Sequence, residues 1–542
     1  MRLILFFLLI TSMVTAQPGV KEAGNPVARP KLVVGIVVDQ MRWDFLYRYY
    51  NRYAADGGFK RLINQGFSCE NTFIDYIPTY TACGHACIYT GSVPAVNGIT
   101  GNGWYDLEVK ESRYCTEDKS EKGLGTDGEE GRMSPRNMKS TTICDELRYA
   151  TNFRSKVIGI AIKDRGSILS AGHSATAAYW FDGSTGHWIS STYYMKVLPA
   201  WITAFNDKKL PGRYLEKGWN TLYPINTYQQ STADDMAYEG KPFGPDAGVF
   251  PYLNIFNGKN YGVLASTPFG NSLTKDLAIA ALDAEQLGKD TITDFLTVSF
   301  SSTDYVGHVF GPNSIEVEDT YLRLDKDLGE LFRSLDKKVG KNQYLLFISA
   351  DHGVAHAPGF EKANNIPGGS IGDIDKPLDS ALKKQFGNFK FITANTNSQL
   401  YFNHRLLDSL RIDQEAFAKY IIDFISVREG IDQVVAISKV AGAPIIDAIK
   451  RRIINGYYPS RSGDIQIIYK PGWMGHGSTG TTHGSWNPYD THIPLIWYGW
   501  NIKPGKTNRE NYMTDIAPTI AALLHIQMPS GSVGKVIEEI GQ

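Results

Sequence analysis

The chain has 542 residues, of which 42% are hydrophobic and 20% charged, with a formal net charge of -1. That composition excludes a disordered chain, and near-neutrality removes any general pull toward nucleic acid or an acidic membrane. No specific nucleic-acid partner is therefore expected.

Met1-Arg2 supplies a short positive segment, Leu3 to Ile10 is an apolar run too short to span a bilayer, and Val14-Thr15-Ala16 has small residues at cleavage spacing. Residues 1–16 are thus expected to be a signal peptide cut near Ala16, with 17–30 as a Pro/Gly-containing linker. No cysteine stands just after the cut, and no later stretch approaches the ~20 apolar residues of a membrane helix. An exported protein without a membrane anchor, periplasmic or secreted, is expected.

From there, apolar runs alternate with amphipathic segments, the pattern of an α/β fold around a largely buried sheet. Strands are expected at Lys31–Val38, Lys156–Ile162, Phe295–Phe300, Gln343–Ser349 and Ile493–Tyr498. Helices are expected at Trp43–Tyr53, Thr274–Gln286, Ile315–Leu335 and Thr514–Leu524. Residues 106–138 and about 171–269 break the rhythm and read as long insertions over a catalytic core spanning 31–542. The five cysteines, Cys69, Cys83, Cys87, Cys115 and Cys144, are odd in number, so at least one has no partner within the chain. Export leaves disulfides open among the rest, and no Cys-x-x-Cys pair suggests a thiolate metal site.

Active sites of open α/β sheets gather at the carboxyl ends of strands. Asp39 follows the first strand directly. Lys163 and Arg165 follow the second, Asp304 the third, and Asp351-His352-Gly353 the fourth. Alone, Asp39 reads more often as a turn residue than as a ligand. Asp304 and His308 share one face if helical, and His483 lies in a flexible Gly-Ser-Thr stretch. Together these give three carboxylates and three histidines, an N/O donor set that suits paired zinc ions. Two adjacent metals serve an in-line phosphoryl displacement. Thr81, ahead of an expected helical run, is either a plain N-cap or a nucleophile placed where a helix N-terminus favours phosphate. Thr79 satisfies the capping reading equally well.

Asp39, Thr81 within Thr-Ala-Cys-Gly-His, the Gly98–Asn102 segment, Asp304 with His308, Asp351-His352-Gly353 and Thr482-His483-Gly484 occur in the order of the alkaline phosphatase superfamily, which the chain resembles over nearly its whole mature length. The likeness is greatest to the Thr-nucleophile, PafA-type bacterial alkaline phosphatases, relatives of the nucleotide pyrophosphatase/phosphodiesterases. It implies an alkaline-phosphatase-like, mostly parallel central sheet flanked by helices, with the insertions over the active-site rim. It implies one zinc held by Asp304, His308 and His483, and a second held by Asp39, Asp351 and His352 with Thr81 facing it. Asn102, Lys163 and Arg165 are implied as the phosphate-binding residues; the last two point to one side if they continue the strand, the alternative being a surface Lys-Asp-Arg turn. His85, His356 and His476 match no ligand position, and no acidic cluster supports a third, magnesium site. The sulfatase nucleophile motif is absent, Cys83 and Cys87 lying in the wrong context.

The implied function is an exported monomeric phosphatase that hydrolyses small phosphate monoesters through a zinc-activated Thr81 and a phosphothreonine intermediate, with inorganic phosphate as product. An exported phosphodiesterase or nucleotide pyrophosphatase is the nearest alternative. A non-catalytic zinc- or phosphate-binding protein is the alternative of another class.

Overall fold

Four apolar runs, Leu32–Val38, Val157–Ala161, Asp294–Phe300 and Tyr344–Ser349, become strands buried at every position in the computed structural model of the chain. Burial on both faces is what a parallel strand between two layers of helices requires. The structure describes residues 28–541 apart from 245–247, 257, 476 and 478. The expected signal peptide, most of the 17–30 linker and His476 lie outside the described residues.

The four strands pair in parallel, with Leu32–Val38 at the centre between Tyr344–Ser349 and Asp294–Phe300, and Val157–Ala161 beyond the latter. Their register aligns the ends: Val37 sits opposite Ser349, Val38 opposite Phe300, and Ala161 opposite Ser299. The residues just past them, Asp39, Asp351, Asp304 and Lys163, consequently emerge at one edge. Leu495–Gly499 continues the sheet antiparallel to Tyr344–Ser349, and Phe67–Phe73 lies beyond it. Among the described residues the whole sheet has eleven strands.

Several elements depart from the sequence expectation. Trp43–Tyr53 is not one helix. Only Phe45–Arg48 is helical, because Tyr49 and Tyr53 turn inward to pack on Tyr321 and Phe59, and this tertiary packing outweighs helix propensity. The helix expected at Thr274 begins earlier and runs Phe269–Ala284. The last strand is interrupted at Pro494, which has no N–H for the ladder, leaving His492–Ile493 and Leu495–Gly499 as separate pieces. Ile315–Leu335 is helical as expected, capped by the Ser314 side chain accepting from Val317.

The segment 171–269 does more than cover the rim. Ala177–Asp182 pairs in parallel with the Val157–Ala161 strand, and His187–Ser191 returns antiparallel beside it, so both belong to the main sheet. Within 106–138, Glu111–Tyr114 forms a hairpin with Gly103–Asp106. A further unit was not foreseen: Ile392–Thr396, Gln399–Phe402, Ile465–Tyr469 and Ile431–Ala436 make a separate four-stranded antiparallel sheet. Helices Asp375–Phe386 and Gln414–Ser426 supply Leu378, Leu382, Phe417 and Ile421 to its own apolar cluster.

The helix Thr81–Thr90 is buried throughout and packs directly on the end of the Tyr344–Ser349 strand. At Gly84 a Cβ would stand 2.3 Å from the Asp351 carbonyl oxygen and 2.6 Å from the Asp351 Cβ. Gly84→Ala is therefore expected to destabilise the fold by about 1–3 kcal/mol, the usual cost of overpacking. A urea midpoint measured at unchanged slope checks this, and an unshifted midpoint would show that the helix and strand have slack between them.

Candidate active site

Thr81 is the first residue of the Thr81–Thr90 helix. The N-cap is Tyr80, with extended backbone and no side-chain cap bond. Neither threonine left open by the sequence is a cap. The Thr79 hydroxyl donates to the Ser485 carbonyl at 3.1 Å, and the Asn102 Oδ1 accepts the Ala82 N–H at 3.0 Å. The Thr81 Oγ1 lies 3.4 Å from His352 Nε2 and 3.4 Å from the Lys163 ammonium. It is 1% exposed.

Two groups of potential metal ligands stand at the sheet edge: Asp304, His308 and His483, and Asp39, Asp351 and His352, each with donor atoms within 4.8 Å of one another. Asp304 opens the Ser302–Phe310 helix and His308 lies one turn on, so one helix face delivers both. The His308 Nε2 is 3.2 Å and the His483 Nε2 3.6 Å from Asp304 Oδ1. The His352 Nε2 is 3.4 Å from Asp39 Oδ1 and 3.5 Å from Asp351 Oδ2.

Each histidine is oriented by a backbone carbonyl. His483 Nδ1 donates to Thr79, His308 Nδ1 to Thr481 and His352 Nδ1 to Gly353, at 2.6, 2.8 and 2.9 Å. That fixes the tautomer and leaves each Nε2 lone pair facing the carboxylates, the arrangement metal-ligating histidines adopt. Both oxygens of Asp39, together with Asp351 Oδ2, are buried without a hydrogen bond. Lys163 does reach 2.5 Å from Asp304 Oδ2 and 2.7 Å from Asp39 Oδ2, but its approach to Asp39 is an ion pair off the hydrogen-bonding axis. Orphaned carboxylate oxygens facing imidazole nitrogens fit divalent metal ions of the N/O-binding kind.

Charge follows the same pattern. Burial pushes Asp39 up to about 6 in spite of Lys163, and burial followed by the Asp39 charge raises Asp351 well above the carboxylate range. Asp304 is held well below it: burial opposes, but His308 and Lys163 prevail. Burial keeps His483 neutral down to about 3 and lowers His352 well below the usual imidazole range, while at His308 burial is outweighed by the Asp304 charge and hydrogen bond, which raise it.

Lys163 and Arg165 do not continue the strand, so the condition for their sharing one side of it is not met. The strand ends at Ala161, Lys163 occupies the N-cap position and Arg165 lies in the first turn of the Asp164–Ala171 helix. The turn is set by Asp164, which accepts hydrogen bonds from Tyr114 and Thr116. Lys163 nonetheless reaches the site, between the two ligand groups. Arg165 contacts neither group. Its Nη1 donates to the Tyr114 hydroxyl at 3.0 Å, and its Nε is buried without a partner.

Three residues escaped sequence reasoning. Gln40 takes a left-handed φ of 65°, donates its backbone N–H to Asp351 Oδ1 at 3.1 Å and its amide to Asp304 Oδ1 at 2.7 Å. Its place immediately after Asp39 was a usable signal. Tyr114 and Asp490 carried none. Asp490 Oδ2 accepts from the N–H groups of Gly484 and Ser485, fixing the loop that bears His483. His85 spends one ring nitrogen on the Thr81 carbonyl and the other on Ser299, and His356 bonds Asn313. All five cysteines are free and buried, and burial pushes the Cys83 thiol well up and Cys87 to about 12. A cavity of about 290 Å³ opens beside His483, lined by Tyr80, Trp473, Trp486 and Tyr489 and by Asn395–Ser398 of the small sheet unit.

Comparison with known proteins places this geometry. The type I phosphodiesterase/nucleotide pyrophosphatase family description matches residues 33–492. Alkaline phosphatase PhoV of Synechococcus elongatus is 54% identical over 519 residues, 95% of this chain and 93% of that one. Alkaline phosphatase PafA of Elizabethkingia meningoseptica is 50% identical over 540 residues, 98% and 97% of the two chains. A crystal structure of wild-type PafA superposes with a TM-score of 0.94 at 51% identity, covering 96% of this chain and all of that one. Identity of this order, end to end and on one fold, leaves no distance to bridge: the chain belongs to the type I phosphodiesterase/nucleotide pyrophosphatase family, beside its bacterial alkaline phosphatases.

Proposed function

We propose that the chain is a zinc-dependent alkaline phosphatase that hydrolyses phosphate monoesters with Thr81 as nucleophile, exported by way of the signal peptide at residues 1–16. The observation that carries this reading is the position of the Thr81 oxygen, at a helix N-terminus between His352 Nε2 and the Lys163 ammonium, where the two ligand groups meet. The names and half-identity of PhoV and PafA support it.

Asp304, His308 and His483 would hold one zinc, and Asp39, Asp351 and His352 the other. Bound there, the two ions supply Lewis acidity, lowering the pKa of the Thr81 hydroxyl and offsetting charge on the leaving oxygen. Thr81 attacks phosphorus in line and forms a phosphothreonine, which water then cleaves to release inorganic phosphate. Lys163, 3.4 Å from the attacking oxygen, is the nearest positive side chain to the transferred group. The Oδ1 of Asn102 is committed to the Ala82 N–H, so its amide nitrogen is the end available to a phosphoryl oxygen. Arg165 keeps Nε and one terminal nitrogen after bonding Tyr114, enough for a bidentate grip on phosphate. Two side-chain cations complement a dianionic monoester better than a monoanionic diester.

Hydrolysis of an aryl phosphate monoester is expected to exceed that of the matching diester, to stop on chelation and to return with zinc. A diester preference would make the enzyme a phosphodiesterase, and turnover unaffected by chelation would remove the metal role.

Thr81→Ala is expected to lower kcat/KM by on the order of 10⁴ or more while zinc content is unchanged. Replacing Lys163 and Arg165 together by alanine should cost monoester hydrolysis on the order of 10²-fold or more, and diester hydrolysis much less. Steady-state rates on both substrates, with zinc measured in each variant, decide this. Equal losses on the two substrates would refute the assigned discrimination.

A further inference from the structure

Arg165 is half-buried, yet the group that holds its guanidinium is a neutral hydroxyl. Its Nη1 donates to the Tyr114 oxygen at 3.0 Å, and its Nε is buried without a hydrogen bond. The carboxylate next to it in the chain, Asp164, is engaged elsewhere. Asp164 Oδ1 accepts from the Tyr114 hydroxyl at 2.8 Å, and Oδ2 accepts from the Thr116 hydroxyl. A phenol has one proton to give. Because Tyr114 gives it to Asp164, the lone pairs of its oxygen are left for Arg165, and the direction of both bonds is fixed.

The hairpin that carries Tyr114 ties this arrangement to the rest of the site. Tyr114 ends the Glu111–Tyr114 strand and pairs across the hairpin with Gly103. Gly103 follows Asn102, whose carbonyl accepts the Cys115 N–H at 3.0 Å and whose side chain accepts the Ala82 N–H. Tyr114 therefore stands one step of the ladder from Asn102, and Asn102 is bonded to the helix of Thr81. The hairpin is itself anchored on both sides. Trp104 is buried in a cluster with Ala82, Cys115 and Leu169, and the Asn397 amide donates to the Gly103 carbonyl at 2.9 Å.

We propose that Tyr114 is a positioning residue for Arg165. It sets the guanidinium in register with Asn102 and, together with Thr116, keeps the Asp164 carboxylate from neutralising it. The inference rests on the reading of Asn102 and Arg165 as phosphate-binding residues given above. A guanidinium paired with a carboxylate has its forked donors filled and cannot grip a phosphoryl group with them. Held by one neutral acceptor, Arg165 keeps Nε and a terminal nitrogen for that purpose. Without the Tyr114 hydroxyl, Asp164 Oδ1 loses its donor and Arg165 loses its acceptor, and the two opposite charges turn to each other. The loss falls on dianions, a phosphate monoester or inorganic phosphate, more than on a monoanionic diester.

The test is a double-mutant cycle on the zinc-loaded full chain. Tyr114→Phe, Arg165→Ala and the two combined are assayed on an aryl phosphate monoester and the matching diester, and for inhibition by inorganic phosphate. Tyr114→Phe is expected to lower monoester kcat/KM and phosphate affinity by about tenfold. Diester hydrolysis and zinc content should change little, and the substitution should add nothing in the Arg165→Ala background. Thr116→Val, which frees the other Asp164 oxygen, should act in the same direction and carries the test if Tyr114→Phe fails to fold. Additive losses in the double variant, or equal losses on both substrates, would make Tyr114 a merely structural contact and overturn the proposal. An impaired Arg165→Ala beside an unimpaired Tyr114→Phe would overturn the proposal alone. Arg165→Ala at wild-type rates would overturn it together with the phosphate-binding reading of Arg165.

Discussion

Three carboxylates buried together with a single ammonium are the constraint on which the rest of this structure rests. Asp39 and Asp304 pair with Lys163, Asp351 lies beside Asp39 around His352, and all four are almost wholly removed from solvent. An uncompensated buried carboxylate costs several kcal/mol, and one lysine cannot compensate three. The direction of each titration reflects the deficit: Asp304, nearest the cations, keeps its charge, while Asp39 and Asp351 are driven toward protonation. A fold that maintains such a cluster is organised around cations that join it from outside the polypeptide. The three imidazoles whose Nε2 atoms turn toward the same carboxylates point to metal ions as those cations.

The sheet explains why the acids meet. Strand-end positions can be read in the sequence because a fully buried parallel strand is an uninterrupted apolar run, and the first polar residue after it marks the edge. Asp39, Asp304 and Asp351 were legible for that reason, and the parallel register brings them together without further information. His308 was legible as one helical turn beyond Asp304. His483 was not legible from local pattern, since its position depends on a loop tied by Asp490 and by the Thr79 carbonyl, both distant in sequence. Only the resemblance of the ordered motifs placed it.

What the sequence hid is hidden for a common physical reason: long-range contacts decide it. Lys163 and Arg165 look like a strand continuation until Tyr114 and Thr116, from a hairpin some 50 residues away, anchor Asp164 and start a helix. Trp43–Tyr53 has helical propensity, but its tyrosines are worth more in the core against Tyr321. The small antiparallel sheet is assembled from strands separated by helices and loops, with Ile431–Ala436 and Ile465–Tyr469 partnered across a helix. No local period announces such a unit. Yet it places Asn395–Ser398 against the cavity beside His483, so the part of the fold least visible in sequence borders the candidate site.

The orienting carbonyls link the parts of the site into a chain of dependence. Thr481, two residues before His483, sets the ring of His308. Thr79, two residues before Thr81, sets the ring of His483. The helix of Asp304, the loop of His483 and the segment that carries Thr81 therefore cannot shift independently. Thr79 closes the chain with its hydroxyl on Ser485, in the loop that Asp490 fixes. Gln40 makes the parallel connection, spanning from Asp351 of one ligand group to Asp304 of the other, and its left-handed backbone is the strain accepted to reach both. A displacement at any of these points is transmitted to the Thr81 oxygen, and on the mechanism proposed above an error of about 1 Å there is enough to cost 10²-fold in rate. The precision of the site is thus a property of the loops' mutual hydrogen bonding, and the sheet supplies only its foundation.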